Sequence, residues 1–461
     1  MPSPRNRAVY LLLLILLVVT FGANAAAQQH ITGTLADGAA YVIDVPAAWN
    51  GVLLLYSHGY VAPGNSNPAT DVGDPLTGQY LLAAGYALAG SSYATTGWAV
   101  HEAIPDQIAT LDAFQSKVGI PTTTIAWGHS LGGMITAGLV QLYPNRFQAA
   151  LPMCGVLAGG VGLWNEALDG AFVFNTISAG GTLQVVDIGN ASLNLAAAEL
   201  ALASEQSTAQ GQAHIALAAA MGDEPGWYDP LSPEPAQTDY TTREANQYQW
   251  LANVVFPFMF ALRAELEARA GGNPSWNDGI NYTKQLGHST DYGEVQALYA
   301  AAGLDLNADL NKLAGASRIS ADANAKQYLI DNIVYNGQLP FPVLTMHTTG
   351  DGLVPVEDEQ AYSRTSHEAG DQASLREIFV HRAGHCELTP AETITAFQTL
   401  VTRMNVGKWK LLSPVKLNKE AAALGATYNV LLVNNKLVQV PSAFEKFKSP
   451  VFLRPFDAFS K

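Results

Sequence analysis

Residues 122–133 read Thr-Thr-Thr-Ile-Ala-Trp-Gly-His-Ser-Leu-Gly-Gly. The β-branched run Thr122–Trp127 reads as a strand, and residues 131–143 read as a helix with Pro144 just past its end. Between them, Gly128-His129-Ser130-Leu131-Gly132 forms a G-x-S-x-G pattern. In a strand–turn–helix setting this pattern puts the serine on a tight, strained turn, where a side chain at either glycine would clash with the neighbouring strand and helix. The helix N-terminus behind the turn favours negative charge at a reacting centre. Ser130 is therefore the candidate nucleophile.

Around this stretch the chain alternates between strand and helix patterns. Tyr41–Val45, Gly51–Tyr56, Tyr86–Gly90 and Gln148–Met153 read as strands. Gln79–Ala84 reads as helical, as do residues 101–117, where Ile104, Ile108, Leu111 and Phe114 share a face. Such alternation predicts an α/β fold with a mostly parallel central sheet and helices on both faces. It stops at about residue 155. Residues 155–340 are Ala-rich, with helical patterns near 192–221, 240–269, 294–301 and 321–335, and hold 20 Asp and Glu against 7 Lys and Arg, a local charge of −13. Alternation resumes with Phe341–Met346, a helix around 357–369, a strand at Leu375–Val380 and a helix at 390–404. Residues 405–461 carry 9 basic against 3 acidic residues, and Asn434-Asn435 between two apolar runs predicts a hairpin with a left-handed turn. The expected layout is a leader at 1–27, a core split between 28–155 and 341–404, a helical cap at 156–340 and a small β appendage at 405–461.

Composition narrows the function. The 461 residues are 48% hydrophobic and 14% charged, enough to bury a sizeable core. A net charge of −15 makes nucleic acid a poor partner, which would need a basic footprint. Two cysteines are too few for a disulfide-rich scaffold or a four-cysteine zinc site. Arg5 and Arg7, the apolar run Ala8–Phe21 and the small residues Ala23-Asn24-Ala25 have the order of an export signal, and the run is shorter than the ~20 residues of a membrane span. No later segment has the length of uninterrupted apolar sequence that an integral membrane protein needs. A secreted or periplasmic location follows, which favours pairing of Cys154 with Cys386 over two buried free thiols.

A serine hydroxyl needs a base, and the base needs an orienting acid. Where such an elbow tops a parallel sheet, the order along the chain is serine, acid, histidine. Asp351, in Thr348-Thr349-Gly350-Asp351-Gly352, follows a strand and is the acid candidate. Asp371 is the runner-up, but it precedes a strand and so belongs at the opposite sheet edge. His385, in the loop after the last core strand, is the base candidate; His381 lies at that strand's end. His129 serves packing or substrate lining. An oxyanion hole needs two aimed N–H groups. Leu131 would supply one and Tyr60, in His58-Gly59-Tyr60, the other, with His58 holding the loop.

Together these motifs resemble the α/β-hydrolase superfamily of serine hydrolases, over about 31–155 and 340–404. Leu151–Val156 and Thr345–Gly352 are similar to stretches of secreted bacterial esterases and phthalyl-amidase-like hydrolases. The resemblance implies an acyl-serine mechanism, a cap inserted after the sixth strand, and no metal or organic cofactor. It also places Cys154 beside Cys386 and so implies a disulfide clamping the histidine loop. Tyr60, Trp98 and Trp164, on loops predicted at the strand C-terminal ends, could hold an aromatic acyl group. The leading expectation is an esterase acting on small-molecule or polymeric esters through Ser130, His385 and Asp351. The same residues would serve an amidase, a peptidase or an acyltransferase, and the complete set argues against a catalytically silent binding protein.

Overall fold

A computed structural model describes residues 29–410 and 412–456 of the chain, so the leader expected at 1–27 lies outside the described residues. Strands β1 (Gln29–Thr34), β2 (Ala40–Val45), β3 (Val52–Ser57), β4 (Ala87–Ser91), β5 (Thr123–His129), β6 (Ala149–Met153), β7 (Val343–Gly350) and β8 (Leu375–Ala383) form one sheet in the order β1-β2-β4-β3-β5-β6-β7-β8. Pairs from β4 to β8 are parallel, and β1 and β2 are antiparallel. This is the mostly parallel sheet that the alternation predicts, in the α/β-hydrolase order that the resemblance implies.

The central strands are apolar throughout because helices cover both sides. In β3 the period of two sends Leu53 and Leu55 to one face and Leu54 and Tyr56 to the other. Helix α1 (Pro75–Ala83) starts where the Asp74 carboxylate accepts from the Thr77 N–H at 2.8 Å, with Pro75 in the first turn. Helices α2 (Val100–Lys117) and α3 (Leu131–Leu142) cover the Leu53 face.

Between β6 and β7 the chain forms the cap. Its helices are α4 (Gly159–Ile177), α5 (Ala191–Gln206), α6 (Ala209–Met221), α7 (Tyr240–Trp250), α8 (Arg263–Ala270), α9 (Tyr282–Leu286), α10 (Tyr292–Ala302), α11 (Leu306–Gly315) and α12 (Ala323–Asp331). Two π-helical turns, Leu251–Val255 and Phe258–Leu262, join α7 to α8. The continuous pattern at 192–221 is two helices, because the Thr208 hydroxyl accepts from the Gly211 N–H at 3.0 Å and starts a new one. Helix α4 was not legible from periodicity. Gly159, Gly160, Gly162 and Gly170 argue locally against a helix, and burial of Trp164, Leu168, Phe172 and Phe174 overrides them.

Helices α13 (Glu357–Glu368) and α14 (Pro390–Val406) match the predicted positions. The C-terminal segment opens with a helix the sequence reading lacked, α15 (Pro414–Ala423). The hairpin then forms as expected, from β9 (Val430–Val433) and β10 (Lys436–Gln439), with φ of 51° at Asn434 and 60° at Asn435. Beyond it, β11 (Phe444–Glu445) pairs with the edge of β8, and the Arg454 guanidinium donates to Asp169 on α4 at 2.5 Å. The segment therefore spans core and cap. No helix among the described residues is long and apolar enough to cross a membrane.

Arg454 and Asp169 are both buried, and Asp169 also accepts from Tyr282 and Gln285 at 2.9 Å each. Arg454→Ala leaves that carboxylate buried without its cation and is expected to cost about 3–5 kcal/mol in urea unfolding. A loss below about 1 kcal/mol would mean the tail does not brace the cap.

Candidate active site

Ser130 sits between β5 and α3 with φ 59° and ψ −128°, a backbone conformation that L-residues rarely adopt and that costs about 1–3 kcal/mol. The glycines around it leave the necessary space. A Cβ on Gly128 would lie 2.5 Å from the carbonyl oxygens of Ser57 and Gly132, and one on Gly132 would overlap the Ser57 carbonyl. Gly59 brings the loop after β3 so close that an added Cβ would stand 3.3 Å from that of Ser130. The Ser130 N–H donates to the Met153 carbonyl at 3.0 Å, which ties the turn to the end of β6.

The structure brings Ser130, His385 and Asp351 together, from three different strand ends. His385 Nε2 lies 2.7 Å from Ser130 Oγ, and His385 Nδ1 lies 2.8 Å from Asp351 Oδ2. With the Nδ1 proton donated to the carboxylate, the Nε2 lone pair faces the serine hydroxyl. Asp351 is buried, and its Oδ1 accepts from the N–H groups of Leu353 and Val354 at 3.0 and 3.1 Å. Such an arrangement can take a proton from Ser130 and hold the resulting imidazolium.

The histidine loop is fastened from both sides. Thr348 Oγ1 donates to the Gly384 carbonyl at 2.7 Å, and the Gly384 N–H donates to Gly350 at 2.9 Å. Cys386 is bonded to Cys154, with Cα atoms 5.5 Å apart, so the residue after His385 is covalently tied to the end of β6. This is the pairing the resemblance implied. Strand β8 continues to Ala383, so His381 lies inside it, bonded through Nδ1 to Glu445 Oε1 at 3.1 Å. Asp371 sits in the turn before β8 and accepts from the Leu339 N–H, away from Ser130.

His58 contacts the Gly59 and Ser92 carbonyls at 2.7 and 3.1 Å and stacks on Tyr93, which fits a loop-holding role. His129 packs against Tyr56, its Nδ1 3.3 Å from the phenol oxygen, and burial pushes its imidazole down to about 4. Among the described residues, the N–H groups of Tyr60 and Leu131 have no backbone acceptor. A cavity opens onto Ser130 and is lined by residues that include Tyr60, Trp98, Leu131, Trp164 and Phe258. Trp98 and Trp164 meet edge to face at 5.5 Å. Trp164 comes from helix α4 and not from the loop its sequence position suggested.

The sequence reading missed His347. It lies in β7, fully buried, with Nε2 3.5 Å from Asp351 Oδ2 and Nδ1 3.2 Å from Glu359 Oε1. Its one sequence signal is a histidine inside a buried strand, four residues before the acid. Burial alone would lower its imidazole, but hydrogen bonds to Asp351 and Glu359 outweigh burial and raise it to about 10. Burial would likewise raise the Asp351 carboxyl, yet His385 and His347 hold it well below the usual carboxylate range. The raised His347 stabilises the fold fully below its ordinary value of 6.5, and this contribution disappears as pH climbs through about 10. His347→Asn is expected to cost about 3–5 kcal/mol at pH 6, and its deficit relative to the unsubstituted protein should narrow toward pH 9.5. Unfolding curves at the two pH values check this, and a deficit independent of pH would contradict a charged His347.

No family model matches the chain. It is 29% identical to o-phthalyl amidase of Xanthobacter agilis over 434 residues, covering 86% of this chain and 93% of that protein. Among solved structures it is similar to an esterase from Aspergillus oryzae, at 14% identity and TM-score 0.41 over 82% of this chain and 79% of the other. Another is feruloyl esterase B from Aspergillus oryzae, at 11% identity and TM-score 0.38 over 90% and 85%. The strand order gives the chain an α/β-hydrolase fold, and along most of its length the chain is similar to o-phthalyl amidase.

Proposed function

We propose that the chain is an exported serine hydrolase that cleaves carboxylic esters through an acyl-Ser130 intermediate. The observation that carries this reading is the unbroken run from Ser130 Oγ to His385 Nε2 at 2.7 Å and from His385 Nδ1 to Asp351 at 2.8 Å, at the mouth of an aromatic cavity. Ser130 attacks the ester carbonyl while His385 takes its proton. The oxyanion settles against the N–H groups of Tyr60 and Leu131. His385 then protonates the departing alcohol, and water activated by the same imidazole releases the acid. Tyr60, Trp98 and Trp164 favour a flat or aromatic acyl group. The basic and apolar residues before Ala23 and the disulfide both fit an oxidising compartment.

A second reading, amide cleavage, is favoured by the similarity to o-phthalyl amidase. It uses the same residues and additionally requires His385 to protonate an amine leaving group. A p-nitrophenyl ester and the p-nitroanilide of the same aromatic acid separate the two. Ester turnover that drops by about 10³-fold or more in Ser130→Ala is expected. Turnover of the anilide alone would move the assignment to amidase, and ester turnover that survives the substitution would remove Ser130 from the mechanism.

A further inference from the structure

The cavity at Ser130 has a second chemical character that the acyl-transfer reaction does not use. Among its lining residues the ionisable acids are Glu166, on α4, and Glu224, just past α6, and no Lys, Arg or His lines it. Both are deeply buried, Glu166 at 1% and Glu224 at 4% exposure. Neither oxygen of Glu166 has a hydrogen-bond donor, and Oε2 of Glu224 has none. Behind them stand further buried acids. The neighbouring Asp223 adds to the upward push on Glu166, and its own Oδ2 also lacks a donor.

Unpaired buried carboxyls are costly, and native proteins keep them where something else completes them. Burial raises Glu166 and Glu224 well above the usual carboxylate range, and neighbouring acids push both further up. Arg243, a basic side chain of the same cap region, is already committed to Asp291 and Glu294 at 2.7 and 2.6 Å. Four aromatic side chains, Tyr60, Trp98, Trp164 and Phe258, share the wall with aliphatic residues such as Leu131 and Val156. The negative faces of aromatic rings attract cations, and a cation beside Glu166 and Glu224 favours their ionised forms, so both parts of the lining favour the same charge. Among the described residues no group of three or more acids, histidines or cysteines is placed to hold a metal ion. A bare metal would also gain little from the rings, whereas an organic cation uses rings and carboxylates together.

We infer that this cavity receives a positively charged organic group, an amine or quaternary ammonium carried by the substrate, held against Glu166 and Glu224 and the surrounding aromatic rings. The inference deepens the proposed function, since it rests on the cavity being the substrate pocket of Ser130. A cation that enters draws both carboxyls toward their ionised forms, whereas an anion gains no such pairing.

Calorimetric titration of the full chain tests this without requiring turnover. Benzyltrimethylammonium is the cationic probe, and phenylacetate is an anion of similar shape. Saturable one-to-one binding of the cation is expected, with no detectable binding of the anion. Glu166→Gln and Glu224→Gln should each weaken cation binding by about tenfold or more. Failure of the cation to bind, equal binding of cation and anion, or unchanged binding in both folded variants would overturn the inference. Hydrolysis of p-nitrophenyl acetate in the same preparation reports separately on the hydrolase reading. A protein that binds the cation but cleaves no ester would retain the cation site and lose the proposed reaction.

Discussion

The left-handed turn at Ser130 is the constraint on which the other features of the site depend. The chain must leave β5 and enter α3 within one residue, at φ 59°, and only surroundings that over-determine the turn can hold it there. Trp127, Ile125 and the start of α3 are buried on all sides and supply that rigidity. The close approach of Ser57 and of the loop at Gly59 follows from the same geometry, since both come from β3, which pairs with β5 along its length. A side chain at Gly128 or Gly132 would force these strands and the helix apart. The same turn points the Ser130 hydroxyl at the cavity and at His385.

His385 needs a separate kind of support because it sits on a loop. Loops are the mobile part of a fold, and a base displaced by an ångström loses its reach to the hydroxyl. Here the loop is bracketed by Gly384, bonded on both sides to β7, and by Cys386, joined to the end of β6. Asp351 is fixed from behind by His347, whose charge also keeps the acid ionised in a fully buried setting. The result is a chain of polar groups from Glu359 through His347 and Asp351 to His385, in which each member holds the next in place.

The sheet, the elbow and the residues brought to it were legible because each leaves a local mark. Glycines at 128 and 132, apolar runs in β3 and β5, and acid and histidine loops that follow strands are all visible over a few residues. What the sequence hid depends on distant contacts. Helix α4 forms despite four glycines because the cap and core bury it on nearly all sides, so Trp164 reaches the cavity from a helix. His347 looks like an ordinary strand residue until Glu359 and Asp351 close around it. The C-terminal segment shows its hairpin through Asn434-Asn435, but nothing local indicates that Arg454 will cross to Asp169 or that Phe444 will extend the sheet. The charge division was also only half readable. The cap's negative charge could be counted, but not that Glu166 and Glu224 face inward beside Ser130.

The proposed mechanism turns on covalent acylation of Ser130 during turnover. Acid quenching within the first turnover of a p-nitrophenyl ester, followed by peptide mass mapping, measures this directly. The acyl mass is expected on the peptide that holds Ser130, appearing in step with the first equivalent of nitrophenol. An acyl group on another residue, or nitrophenol release with no covalent adduct at any quench time, would contradict it.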